Sequence, residues 1–130
     1  MSSEVGPVPR VLVVDADART RQSLSGLLAI GGRVEVVGSA GDAGTALALV
    51  GSLTPDIVIV DPRLPELDRG RVLIGRLREL GPRCRIVVLN GAAAAPEGWS
   101  PLDADAYVRK TFRASELVDA VLGVNGHVPS

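Results

Sequence analysis

The sequence predicts a doubly wound α/β domain, a parallel sheet covered by helices on both faces. Short apolar runs, Val11-Leu12-Val13-Val14, Ile57-Val58-Ile59-Val60 and Ile86-Val87-Val88-Leu89, are too brief for buried helices and read as strands buried on both faces. Between them lie longer segments whose apolar residues recur at helical spacing. Strands alternating with helices imply right-handed crossovers and a parallel sheet. At 130 residues the chain is about one domain, and no second globular unit fits.

Taken in order, residues 1–9 are rich in Ser, Gly and Pro and read as a flexible leader, with one domain over 10–122 and a polar tail over 123–130. The first strand ends at Asp15. Asp17 is placed to cap a helix over about 18–30, whose stripe is Leu24, Leu27 and Leu28, and Gly31-Gly32 ends it. Val34, Val36 and Val37 mark a second strand before Gly38, and Glu35 between them suggests an edge position. Ala43, Ala46, Leu47 and Val50 predict a helix over about 42–52, broken by Gly51 and Pro55. The third strand runs into Asp61-Pro62, and Pro62 and Pro65 make the next stretch a loop. Leu73, Leu77 and Leu80 carry a third helix that stops at Gly81-Pro82; Arg85–Leu89 forms a fourth strand, ending at Asn90. In 91–104, GAAAAPEGWSPLDA, three prolines and glycines (Pro96, Gly98, Pro101) forbid a long helix. Ala106-Tyr107-Val108 is a short fifth strand running into Arg109-Lys110, and Leu117, Val118, Val121 and Leu122 carry a last helix over about 113–122.

Charge and composition narrow the function. With 14 basic and 15 acidic residues the net charge is −1, so no overall field attracts nucleic acid or an anionic membrane. Aromatics are 2% of the chain, and Trp99, Tyr107 and Phe112 all lie in its last third, so Val, Leu, Ile and Ala must build the core. Cys84 is alone, can form no internal disulfide and reads as a small core residue, in keeping with a reducing cytoplasm. There is no secretory leader pattern and no apolar stretch of the roughly 18 residues a membrane span needs, so a soluble cytoplasmic protein is expected.

The chemistry lies at the strand ends. In an open parallel sheet the carboxyl ends of the strands face the ligand crevice, which should gather Asp15 with Asp17, Asp61, Asn90 and Lys110 at one rim. Clustered carboxylates repel and call for a cation, and hard oxygen ligands select a small divalent ion such as Mg2+. Lys110 is the only lysine among 14 basic residues, and its compact ammonium suits a phosphoryl oxygen better than arginine's fork. A carboxylate can attack a phosphoryl group to give an aspartyl phosphate, and Asp61, after the most buried strand, is the better nucleophile. The plainer alternatives are that these aspartates only cap helices and turns and that Lys110 is a surface lysine.

Val13-Val14-Asp15, Asp56 to Pro65 with its strand–Asp–x–x–x–Pro form, and Ala106-Tyr107-Val108-Arg109-Lys110, in this order, resemble the receiver domain of two-component response regulators. Val34-Glu35-Val36-Val37-Gly38 and the alanine-rich helix after it are most similar to the NarL/FixJ type. The resemblance spans about residues 10–122 and implies a flavodoxin-like, five-stranded sheet of order 2-1-3-4-5. It implies that Asp61 is the phosphoacceptor, with Lys110 and Asn90 contacting phosphate. Asp15, Asp61 and the backbone carbonyl of Arg63 would be metal ligands, and Tyr107 with Asn90 the switch; Asp17, one residue past the usual second acid, either reaches the ion or, more simply, only caps the helix. The implied cofactor is Mg2+. The implied partners are a sensor histidine kinase or another signalling protein, and a second copy joined through the fourth-helix region, fifth strand and last helix.

Three positions and one segment depart from that pattern. Receivers usually have a second acid where this chain has Ala16, Ser or Thr where it has Asn90, proline where it has Thr111, and a helix where it has 91–104. Metal binding should be weakened and the output surface remodelled, the marks of an atypical receiver. Two alternatives stand beside phosphate acceptance. One is a phosphorylation-independent interaction module, to which the arginines at 69, 71, 76, 78, 83 and 85 would lend a docking face, unless they are only solvated. The other is a haloacid-dehalogenase-like phosphatase, suggested by Asp15-Ala16-Asp17 but lacking threonine at 19, which is Arg19. No enzyme activity is expected. No helix-turn-helix follows the receiver-like region, so output would pass through a partner or a further domain.

Overall fold

The structure is a computed structural model describing residues 8–64, 67–80, 84–91, 94–110 and 113–124. Nearly all of the expected leader and tail lie outside the described residues, as do Pro65, the Gly81-Pro82 stop, Thr111 and Phe112. Strands β1 (Arg10–Val14), β2 (Glu35–Ala40), β3 (Ile57–Val60), β4 (Arg85–Asn90) and β5 (Ala106–Arg109) form one parallel sheet in the order β2-β1-β3-β4-β5. Helices α1 (Ala18–Ala29), α2 (Ala43–Leu53), α3 (Leu67–Leu80) and α4 (Ala114–Val124) cross between strands or close the fold. The flavodoxin-like α/β fold and strand order are therefore as the sequence implied.

Side chains alternate between the two faces of each strand, and both faces are apolar. Leu12, Val14, Val58, Val60, Ile86 and Val88 pack beneath Ala46 and Val50 of α2 and Leu73, Ile74 and Leu77 of α3. Val11, Val13, Ile57, Ile59, Val87 and Leu89 pack against Leu24 and Leu28 of α1 and Leu117, Val118 and Val121 of α4. Every residue of β3 is buried, and Cys84 is a core residue as expected.

Local chemistry sets the ends of the elements. The Asp17 carboxylate accepts the Thr20 amide at 3.0 Å and caps α1, and Gly31 (φ 86°) and Gly32 (φ 67°) turn the chain away after it. Asp42 caps α2 through the Thr45 amide at 2.8 Å. Helix α2 passes through Gly51 and ends at Thr54, in the left-handed region at φ 45°. The stop is thus set by that residue together with Pro55, not by Gly51. Strand β2 also outruns the expected end before Gly38. A register shift between Val11 and Leu12 lets Gly38, Ser39 and Ala40 pair with Leu12, Val13 and Val14, and β2 lies at the sheet edge as anticipated.

Between β4 and β5 the described residues form turns and no helix, in line with the prolines and glycines there. Trp99 nonetheless plugs this segment into the core that β4 shares with α3. No helix among the described residues is long and apolar enough to cross a membrane.

Candidate functional site

Register brings two carboxylates to one level. Val14 of β1 pairs with Val60 of β3, so Asp15 and Asp61, the next residue in each case, emerge side by side. The Asp61 amide donates to the Val14 carbonyl at 2.9 Å and the Asp15 amide to the Ala40 carbonyl at 3.0 Å, extending the ladder one step beyond the strands. At the end of β5 the Lys110 amide donates to the Asn90 carbonyl at 2.7 Å. From there the Lys110 ammonium reaches Asp61 Oδ2 at 2.7 Å and Asp15 Oδ2 at 3.1 Å. Asp15 is the single buried polar residue among the described residues, and Asp61 is only 15% exposed.

Taking two carboxylates out of water is unfavourable unless a positive charge lies between them, which is the place Lys110 occupies. For Lys110, burial is the largest single influence and works against the ammonium. The hydrogen bonds and negative charges of Asp61 and then Asp15 together outweigh it and hold the group above its ordinary value.

The other carboxylate oxygens hold the loops. Asp15 Oδ1 accepts the Asp17 amide at 2.9 Å, and Asp61 Oδ1 accepts the Arg63 amide at 2.7 Å. The loop after β3 is then pressed onto α3. The Gly70 amide donates to the Pro62 carbonyl at 3.2 Å, and a Cβ on Gly70 would stand 2.7 Å from that carbonyl oxygen and 3.0 Å from the Asp61 carbonyl oxygen. Only glycine permits so close a backbone approach.

Of the sequence-predicted site residues, Asp15, Asp61 and Lys110 come together directly, and Arg63 joins them through its amide. Asp17 is occupied as the α1 cap, and its carboxyl lies below its ordinary value chiefly because it accepts the Thr20 amide. No group of three acidic, histidine or cysteine side chains among the described residues is arranged to hold a metal. Ala16 is exposed and its side chain offers no ligand atom. The Asn90 side-chain amide donates to the Ala94 carbonyl at 3.1 Å, and the Tyr107 hydroxyl donates to the Ser100 carbonyl at 2.8 Å. Both therefore bind the segment between β4 and β5.

Sequence reasoning missed three features. The half-buried Arg21 donates to the Asp15 carbonyl at 2.7 Å, and no sequence pattern marks a contact across those six positions. Arg71 pairs with Asp103 and Arg78 with Asp105, each at 3.3 Å, so part of the arginine-rich face of α3 is used within the chain. Trp99 is buried although it sits amid prolines and glycines. Its isolation as the one tryptophan was the available clue.

A family model for the response regulator receiver domain matches residues 11–122. The chain belongs to this family. It is 38% identical over 112 residues to the response regulator MprA of Mycolicibacterium vanbaalenii, a match covering 84% of this chain and 47% of that protein. It is 37% identical over 107 residues to a protein-glutamate methylesterase/protein-glutamine glutaminase of Geobacter metallireducens, covering 82% of this chain and 27% of that protein. The chain thus spans less than half the length of these two relatives. Among solved structures it is similar to the receiver domain of the response regulator NarL from Mycobacterium tuberculosis, with a TM-score of 0.81 and 26% identity over 93% of this chain and 98% of that one. It is also similar to the response regulator domain of CheB from Thermotoga maritima, with a TM-score of 0.77 and 26% identity over 95% of this chain and all of that one.

Receiver domains are signalling modules of two-component systems, and they generally bind Mg2+ at the phosphorylation site. The donor set here, two adjacent carboxylates on neighbouring strands, suits a hard cation, although one acidic side chain fewer than usual is present because position 16 is alanine.

Proposed function

We propose that this receiver accepts a phosphoryl group on Asp61 from a sensor histidine kinase in the cytoplasm. The observation that carries the reading is the Lys110 ammonium shared by Asp61 and Asp15, at 2.7 and 3.1 Å. In the transfer, a carboxylate oxygen of Asp61 forms a bond to phosphorus as the bond from phosphorus to the kinase's histidine nitrogen breaks, and that nitrogen keeps the electron pair. Lys110 is already positioned to neutralise charge developing on the phosphoryl oxygens, and it needs no reorganisation to do so. Asp15, Asp61 and the Arg63 backbone carbonyl would hold Mg2+, with water filling the place that Ala16 leaves. When bound, the ion supplies further neutralisation of the same charge.

The added charge of about −1.5 to −2 then biases a two-state equilibrium. The Asn90 amide has two N–H donors, one on the Ala94 carbonyl and a second that can go to a phosphoryl oxygen, whereas Tyr107 can move only by leaving Ser100. Together they are the switch. A second copy, meeting this one through the 91–105 segment, β5 and α4, is the proposed dimer partner. Asp17 is committed to capping α1, and family membership gives the phosphatase alternative no support.

The test is intact-protein mass measurement after treatment with a small phosphodonor and Mg2+. One phosphate adduct is expected on the wild type and none on Asp61→Asn. An adduct of equal yield on both would end the assignment. A second reading, signalling through protein contacts without phosphate, is favoured by Ala16 and by the loop-bound Asn90 side chain. A beryllofluoride-induced change in Trp99 emission that requires Asp61 would count against it.

A further inference from the structure

We propose that Arg21 is a positioning residue for the acidic pocket, acting through Asp15. Arg21 lies in the first turn of α1, where a cation opposes the helix dipole, so helix stability does not account for it. Its Nη1 donates to the Asp15 carbonyl at 2.7 Å and lies 3.4 Å from the Ala16 carbonyl, the two peptides that turn the chain from β1 toward α1. The guanidinium rests on the chain leaving β2. A Cβ on Gly41 would stand 2.6 Å from Nη1 and 3.3 Å from Cζ. Gly41 is not among the glycines with positive φ, so its backbone admits alanine and the guanidinium is what excludes a side chain.

Arg21 thus fixes the peptide that carries the Asp15 carboxylate, and the turn it fixes is the one in which Asp15 Oδ1 accepts the Asp17 amide. With both Asp15 oxygens engaged, rotation of that peptide would misdirect the carboxylate from Lys110 and from any ion beside Asp61. The constraint matters more here than in a site with a second acid, because Ala16 leaves Asp15 as the only acidic side chain that β1 and its exit bring to the ion. The inference rests on the reading that Asp15 and Asp61 hold Mg2+.

Two measurements test it. The first needs neither metal nor phosphate: amide hydrogen exchange by NMR on the metal-free full chain. Arg21→Met is expected to lower protection of the Asp17 amide while leaving the Leu28 amide in α1 unchanged. Gly41→Ala, which displaces the guanidinium, should do the same, and Arg21→Lys should retain most of the protection. The second measurement is the Mg2+ dependence of Asp61 phosphorylation. Loss of an outer partner of a metal ligand is expected to raise the Mg2+ concentration at half-maximal rate by about 10- to 100-fold. The rate at saturating Mg2+ should fall less than the rate at limiting Mg2+.

Unchanged Asp17 exchange in both Arg21→Met and Gly41→Ala would overturn the proposal, as would loosening of all α1 amides together, the mark of a purely structural arginine. A wild type that takes no phosphate would defeat the phosphoacceptor reading, while the exchange experiment would still decide whether Arg21 positions Asp15.

Discussion

On the β1–β3 side of the rim, side chains bind one another: Asp15, Asp61 and Lys110 form a closed set with one ammonium between two carboxylates. On the β4–β5 side, Asn90 and Tyr107 bind carbonyls of the segment joining those strands, at Ala94 and Ser100. The two sets meet at Lys110, whose ammonium belongs to the first and whose backbone amide is held by Asn90. The difference teaches that the atoms that would carry the phosphoryl chemistry and those that would report it are separate hydrogen-bond networks with one shared residue. One network can be altered while the other stays intact.

The largest effect that would sharpen this contrast lies on the reporting side. Trp99→Ala removes a buried indole and should cost about 3–5 kcal/mol of stability, measured by urea unfolding, while the protein that remains folded still takes phosphate on Asp61 at the wild-type rate. A slowed phosphorylation would show that the two networks are one.

Next comes Lys110→Met, expected to slow Asp61 phosphorylation by about 10²-fold, since it removes a preorganised charge at the reacting group. The same variant tests pH dependence. Because the folded-state value of Lys110 lies above its ordinary 10.5, its contribution to stability is fully present below about that pH and is lost as pH rises through the higher folded value. The difference in melting temperature between wild type and Lys110→Met should therefore be flat from neutral pH to about 10 and change only above that.

Ala16→Asp restores an acid beside Asp15 and should tighten Mg2+ binding by about tenfold, or about 1.4 kcal/mol, measured by titration calorimetry. The smallest effect is expected from Tyr107→Phe. It deletes one hydrogen bond to Ser100 and should cost about 1 kcal/mol in urea unfolding without altering Mg2+ affinity.

How much of this was legible in the sequence depended on whether the determinant was local. The strands were readable because Ile57–Val60 and its neighbours are buried on both faces and so carry unbroken apolar runs. Convergence of Asp15, Asp61 and Lys110 followed from a topological rule, that strand carboxyl ends share one rim. The end of β2 was misjudged because Gly38 reads as a breaker alone, whereas pairing with Leu12 across a register shift decides its conformation. The Arg21 contact with Asp15 and the pairing of Arg71 and Arg78 with Asp103 and Asp105 were not legible, since long flexible side chains choose partners only after the elements have packed. The fate of Asn90 was likewise open. Its residue type permits a phosphate contact, and only the path of the following chain put the Ala94 carbonyl within its reach.

The close approach at Gly70 has a mechanical consequence. Helix α3 meets the Asp61–Pro62 backbone without an intervening side chain, and such a joint has little slack. A side chain at position 70 would have to push the Asp61–Pro62 backbone away from the helix. Further along the same helix, Arg71 and Arg78 pair with Asp103 and Asp105. Helix α3 thus ties the Asp61–Pro62 backbone, at its start, to the segment before β5, through Arg71 and Arg78.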